Sequence, residues 1–197
     1  MTAAIIATVF AGALAGYFFM PAAFVDNAEH VLTVGLCLLL FMVGIDIGRQ
    51  GTVLKDIRRN GLRIFAVPFL VLLGSFAGAA AVSPVVGLSL HDGSAVAAGL
   101  GWYSLAPVLI SEHSAELGAV SFLSNIMREL MAIVSIPLVA KYVGYIEACA
   151  PAGAASMDTC LPLVEKATDS KTAVYSFVSG FVLTCIIPVL VPAIMSM

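Results

Sequence analysis

The chain has 197 residues, 61% of them hydrophobic and only 11% charged, with a mean hydropathy of +1.07. Soluble globular domains carry about 25% charged residues, so the composition excludes that class and predicts an all-α polytopic membrane protein. The net charge of -3, with no basic patch interleaved with aromatics, gives no support to a nucleic-acid partner.

The first apolar segment, about residues 3–20, lacks a basic leader and is followed by Pro21, so it reads as a retained span and not as a signal peptide. Asp26, Asn27, Glu29 and His30 make a short acidic loop before a second segment, about 31–47, that ends in Gly44, Ile45 and Asp46. The following stretch holds Arg49, Lys55, Arg58, Arg59 and Arg63, five of the nine basic residues. The positive-inside rule makes it cytoplasmic, and the N-terminus with it. Asp46 lies beside these cations and reads as a surface or ion-paired residue.

The third segment, about 62–83, contains Pro68 and the small residues Gly74, Ser75, Gly78 and Ala79, which let helices approach closely. An external loop with Pro84, Gly87, His91 and Asp92 follows, where His91 reads as solvated. The fourth segment, about 95–110, is irregular: Gly99 and Gly101 precede Trp102, Tyr103 and Ser104, and Pro107 comes after them. Such breaks predict a discontinuous helix whose freed backbone groups bond to protein or line a cavity. The simpler alternative is a kinked helix with interfacial aromatics. Glu112, His113 and Glu116 then form a polar turn without zinc-ligand spacing.

The fifth segment, about 117–140, is the most informative. It is apolar enough to cross a bilayer, yet Arg128 and Glu129 stand at its midpoint, where an ionisable side chain costs about 2.5 to 3.5 kcal/mol. At 100° per residue, Ser121, Ser124, Asn125, Arg128, Glu129 and Ser135 share one side, while Leu123, Ile126, Met127, Leu130 and Val134 cover the other. This predicts one face on a polar space. The structural alternative is a mutual Arg128–Glu129 ion pair, which adjacent helical residues are poorly placed to make.

The sixth segment, about 148–164, carries Pro151, Gly153 and Pro162 around Ser156 and Asp158. It predicts a second discontinuous or re-entrant element, with Ser156 and Thr159 placed to hydrogen-bond Asp158. Lys166, Asp169 and Lys171 lead into the last segment, about 172–194. Alternating all seven segments puts the C-terminus outside but requires Lys141 outside as well. If 148–164 only dips into the membrane, the C-terminus becomes cytoplasmic. Cys37, Cys149, Cys160 and Cys185 are scattered, which suggests neither disulfides nor a metal site, and no cofactor is implied. The whole reads as a single transmembrane transporter domain over 1–197.

Two acids, Glu129 and Asp158, thus fall in or beside the elements least suited to face lipid. In a low-dielectric cavity such a pair can hold a cationic substrate and take up a proton when it leaves. Arg128 could fix a substrate carboxylate or keep Glu129 ionised.

Gly99 to Ser104, Asn125 with Arg128, Glu129 and Leu130, and Gly153 to Pro162 closely resemble, in the same order, motifs of the LysO lysine exporter family. The resemblance follows the family's C-terminal portion. It implies export of L-lysine and of its analogue thialysine across the inner membrane, and carries the family's essential intramembrane acids onto Glu129 and Asp158. Single-chain members have further N-terminal spans, so the resemblance also implies half of a split exporter, with a separately encoded small membrane partner or, failing that, homo-oligomerisation. Proton antiport is the expected coupling. The rivals are a Na⁺-coupled importer or channel, and a non-catalytic membrane subunit in which Arg128 and Glu129 only lock helices. No Ser-His, paired-Asp or metal-ligand arrangement at mid-span suggests an enzyme.

Overall fold

A computed structural model describes residues 11, 14–16, 18, 34, 38, 41, 45 and 63–197. The chain divides into two compact units, residues 1–50 and 51–197. In the first, every described residue is helical, and Leu14, Phe18, Val34, Leu38 and Phe41 are exposed. Asp46, Cys37 and the basic stretch before residue 63 lie outside the described residues.

In the second unit, three helices are long and apolar enough to cross a membrane: α1 (Arg63–Val86), α4 (Ala115–Tyr142) and α6 (Ser170–Met195). At 1.5 Å per residue each exceeds the roughly 30 Å of a bilayer's hydrocarbon core. Local chemistry sets their starts. The Ser114 hydroxyl accepts the Leu117 N–H at 3.2 Å, and the Asp169 carboxylate accepts the Thr172 N–H at 2.7 Å, so each satisfies one of the free donors at a helix N-terminus. Glu116 in the first turn and Lys141 in the last turn of α4 complement its dipole.

Between these spans lie two broken elements. The first consists of α2 (Leu90–Ala97) and α3 (Ala106–Ser111), joined by turns over 98–105. The break is built into the backbone: Leu100 has φ 47° and Gly101 φ 100°, neither of which continues a right-handed helix. The second consists of two 3₁₀ turns, Glu147–Cys149 and Gly153–Met157, followed by α5 (Leu161–Ala167), with Gly153 at φ 61°.

Their contacts show that both elements turn back on themselves. Gly93 in α2 lies against Ser83 at the end of α1, Gly118 near the start of α4 lies against Ser111 and the Pro107 carbonyl of α3, and the His91 Nε2 donates to the Ile194 carbonyl at 2.8 Å. The first element therefore enters and leaves at one end of the unit, where α1 and α6 finish and α4 starts. The second enters beside the start of α6, where the Cys149 thiol approaches the Thr172 carbonyl at 3.7 Å. It reaches Gly180 and Thr184 at mid-helix through Met157, then returns to Asp169. The two hairpins approach from opposite ends and touch at their tips, where the Ala154 N–H donates to the Leu100 carbonyl at 2.8 Å.

Two expectations change. His91 is not merely solvated; it ties the first hairpin to the last turn of α6. Because 147–167 returns to its starting end, Lys141 shares an end with Lys166 and Lys171, which removes the need to place it apart from them. Among the described residues there is no strand. Leu100, Ile110, Ile136, Leu183, Ile187 and Val191 are fully buried, so the hairpin tip and the inner faces of α4 and α6 form one core.

Candidate functional site

The polar face expected of α4 is present. Ser121 and Asn125 are buried, Arg128 and Glu129 half-buried, and Leu123, Met127, Leu130 and Val134 exposed on the opposite side. The buried face meets the hairpin tips. The Asn125 Oδ1 accepts the Gly101 N–H at 2.7 Å, and its Nδ2 donates to the Ser121 carbonyl at 2.8 Å and to the Ser121 Oγ at 3.2 Å. The broken backbone of the first hairpin thus finds a side-chain acceptor where no helical carbonyl is available.

Arg128 pins the second hairpin. Its Nε donates to the Pro151 carbonyl at 3.1 Å and its Nη1 to the Ser75 Oγ of α1 at 2.9 Å. Both acceptors are neutral. No ion pair joins Arg128 to Glu129, so that alternative is not realised. Close packing at this junction explains the glycines. A Cβ on Gly101 would stand 2.9 Å from the Ala152 carbonyl oxygen, and one on Gly153 would collide with the Leu100 carbonyl oxygen and stand 3.1 Å from the Arg128 Nε.

Glu129 points elsewhere. It lies near Thr159 and within electrostatic reach of Asp158, while the Thr159 N–H and Oγ1 donate to the Asp158 Oδ1 at 2.6 and 3.3 Å. Two carboxylates, one on α4 and one on the turn after the second 3₁₀ element, therefore lie near each other, and the Thr159 hydroxyl donates to that of Asp158. Tyr103, from the first hairpin, is in electrostatic reach of both acids. Trp102, Tyr103 and Ser104 join Asp158, Thr159 and Thr184 around a cavity of about 90 Å³. At about 30 Å³ per water this space holds some three waters or an ammonium group with its partners.

Most of the residues singled out in the sequence thus converge on the tip junction, with one exception. Ser156 does not reach Asp158; its hydroxyl donates to the Ser176 carbonyl at 3.0 Å and the Ser176 hydroxyl donates back to the Ser156 carbonyl at 2.8 Å. It fastens the hairpin to α6. Thr184 and Ser75 were not expected at the site. Each is flanked by non-polar residues, Gly74 and Phe76 or Leu183 and Cys185, and only the tertiary arrangement distinguishes it. Among the described residues, no group of three His, Cys, Asp or Glu side chains could hold a metal ion.

A second, larger space lies on the other side of Arg128. This groove of about 650 Å³ runs between α1, α2 and α4, with Ser75, Ser124, Ser135 and Arg128 among otherwise apolar walls and Pro151 at its floor.

Comparison with known proteins agrees with the family resemblance of the sequence. The family model described as lysine exporter LysO matches residues 6–195. The lysine exporter LysO of Escherichia coli K12 is 32% identical over 170 residues, covering 86% of this chain and 56% of that relative, so the chain spans little more than half its length. A protein named putative lysine exporter from Haemophilus influenzae Rd is 27% identical over 158 residues, 79% of each chain. No solved structure matches.

Proposed function

Because the chain belongs to the lysine exporter LysO family, we propose that it is a secondary transporter, not an enzyme, that moves L-lysine and thialysine out across the inner membrane in exchange for protons. The observation that carries the proposal is the proximity of Glu129 and Asp158, on separate elements, beside Thr159 at the tip junction. Lysine carries about one net positive charge, and moving it outward against an inside-negative potential costs about 2.3 kcal/mol per 100 mV. A proton entering on the same carboxylates offsets that cost. In this cycle Glu129 and Asp158 take the substrate's ammonium group in one state and protons in the other, while Trp102, Tyr103 and Ser104 close the cavity from the first hairpin.

A companion membrane subunit or, failing that, a homo-oligomer is part of the same proposal; the match covers 56% of the E. coli relative. The H. influenzae relative matches over 79% of its own length, so a shorter exporter-like chain also occurs among the relatives.

The test is labelled L-lysine flux in proteoliposomes under an imposed pH gradient, with the chain alone and with a small LysO-like membrane protein encoded beside it. Lysine flux driven by the gradient and lost in Glu129→Gln is the expected result. Folded protein that moves no lysine in either preparation overturns the reading, and flux that follows sodium instead of protons replaces the coupling ion.

A further inference from the structure

We propose that Arg128 is the subsite for the substrate's α-carboxylate, and that a carboxylate arriving there takes the guanidinium from Pro151 and Ser75 and so frees the tip of the second hairpin. The proposal rests on the lysine reading above and adds a specificity-determining residue and a coupling step to it.

A guanidinium presents five N–H donors. Here two of them serve neutral acceptors, the Pro151 carbonyl and the Ser75 hydroxyl, and no carboxylate is within ion-pairing distance among the described residues. A carboxylate adds the attraction of opposite charges to the hydrogen bond and can engage the guanidinium in two parallel bonds, which a lone carbonyl or hydroxyl cannot do. The present bonds are therefore ones that an incoming carboxylate can displace.

Access comes from the groove of about 650 Å³, which reaches Arg128 past the Ser124 and Ser135 hydroxyls. A lipid phosphate is a poor occupant at this depth. Arg128 is at the middle of a 28-residue span, whereas headgroups lie about 15 Å from the midplane, at the edge of the hydrocarbon core.

Glu129, one residue on, turns about 100° away and lies near Thr159 and Asp158, which line the second cavity. The two cavities share no lining residue. The tip contacts intervene: Gly101 packs on the Ala152 carbonyl, and the Ala154 N–H bonds the Leu100 carbonyl. A single molecule with a carboxylate at one end and an ammonium at the other can occupy both subsites only if the tips separate. Arg128 bonds the backbone of one of those tips. Carboxylate capture thus removes a restraint on the movement that joins the two subsites, so a diamine lacking the carboxylate gains ammonium contacts without releasing the latch.

The experiment compares L-lysine with 1,5-diaminopentane, its decarboxylated counterpart, as inhibitors of labelled lysine exchange in wild-type proteoliposomes at zero membrane potential, where the difference in net charge carries no electrical work. The diamine is expected to be weaker by about tenfold or more, the range that loss of a charge-assisted hydrogen bond gives. Arg128→Gln is expected to weaken lysine toward the diamine and leave the diamine unchanged. Ser75→Ala removes a competitor for the guanidinium and is expected to lower the half-saturating concentration of lysine but not of the diamine, a gain that structural damage would not produce. Equal inhibition by the two compounds in the wild type, or a preference for lysine that survives Arg128→Gln, overturns the subsite. If Arg128→Gln does not fold, the wild-type ratio and Ser75→Ala decide. Wild-type protein with no lysine exchange overturns the export reading itself, and the subsite with it.

Discussion

At the scale of single residues, the site is a division of labour between neighbours on α4. Asn125 and Arg128 each hold one hairpin by its backbone, through the Gly101 N–H and the Pro151 carbonyl, while Glu129 lies near Thr159 and Asp158. Removing either acid should therefore affect transport more than folding. Glu129→Gln and Asp158→Asn keep shape and hydrogen-bonding capacity but lose the charge. Each is expected to reduce lysine flux about 10- to 100-fold, the equivalent of one charge-assisted interaction, and to abolish the response to a pH gradient. Flux under a gradient, normalised to reconstituted protein, measures both. Thr159→Val deletes the hydroxyl that bonds Asp158 at nearly constant volume and is expected to cost about 1 kcal/mol, roughly a fivefold loss of flux.

At the scale of elements, the hairpin tips are held by backbone geometry that only glycine supplies. Gly153 combines φ 61° with close approach to the Leu100 carbonyl, so Gly153→Ala meets both left-handed strain and a collision. It is expected to destabilise the detergent-solubilised protein by about 1–3 kcal/mol, read as a lower thermal unfolding midpoint. In contrast, a Cβ at Gly74 or Gly78 of α1 meets nothing within 4 Å. Alanine there removes a helix-interior glycine and is expected to raise stability by about 0.5–1 kcal/mol in the same assay. This contrast also shows how much was legible in the sequence. Gly99, Gly101 and Pro107, then Pro151, Gly153 and Pro162, mark both breaks, and the wheel of α4 separates its polar face, because these signals are local. The destination of Ser156 was not legible: a serine two residues from an aspartate looks like its partner until the fold turns it to Ser176. Nor was the meeting of the tips, since the Ala154–Leu100 bond joins residues 54 positions apart with no periodicity to announce it.

At the scale of the whole unit, the decisive feature is that neither broken element emerges on the far side. Three helices are long and apolar enough to cross and two hairpins return, so the end of α4 with Lys141 and the α5–α6 turn with Lys166 and Lys171 are together. The turns carrying His91, Glu112, His113 and Glu116 lie at the opposite end with the C-terminus. All three lysines then fall on one side, which the positive-inside rule makes cytoplasmic. Seven alternating segments would instead strand Lys141 outside. Single cysteines in a background with the four native cysteines replaced by alanine distinguish the two arrangements. Tyr145→Cys and Lys166→Cys are both expected to react with a membrane-impermeant maleimide only after permeabilisation, whereas Glu112→Cys and Met197→Cys should react in intact spheroplasts. Labelling of Tyr145→Cys from outside while Lys166→Cys stays protected would mean that 147–167 crosses the membrane. It would also separate Asp158 from the tip junction on which the exchange mechanism depends, because an element that crosses cannot bring both of its ends to the start of α6.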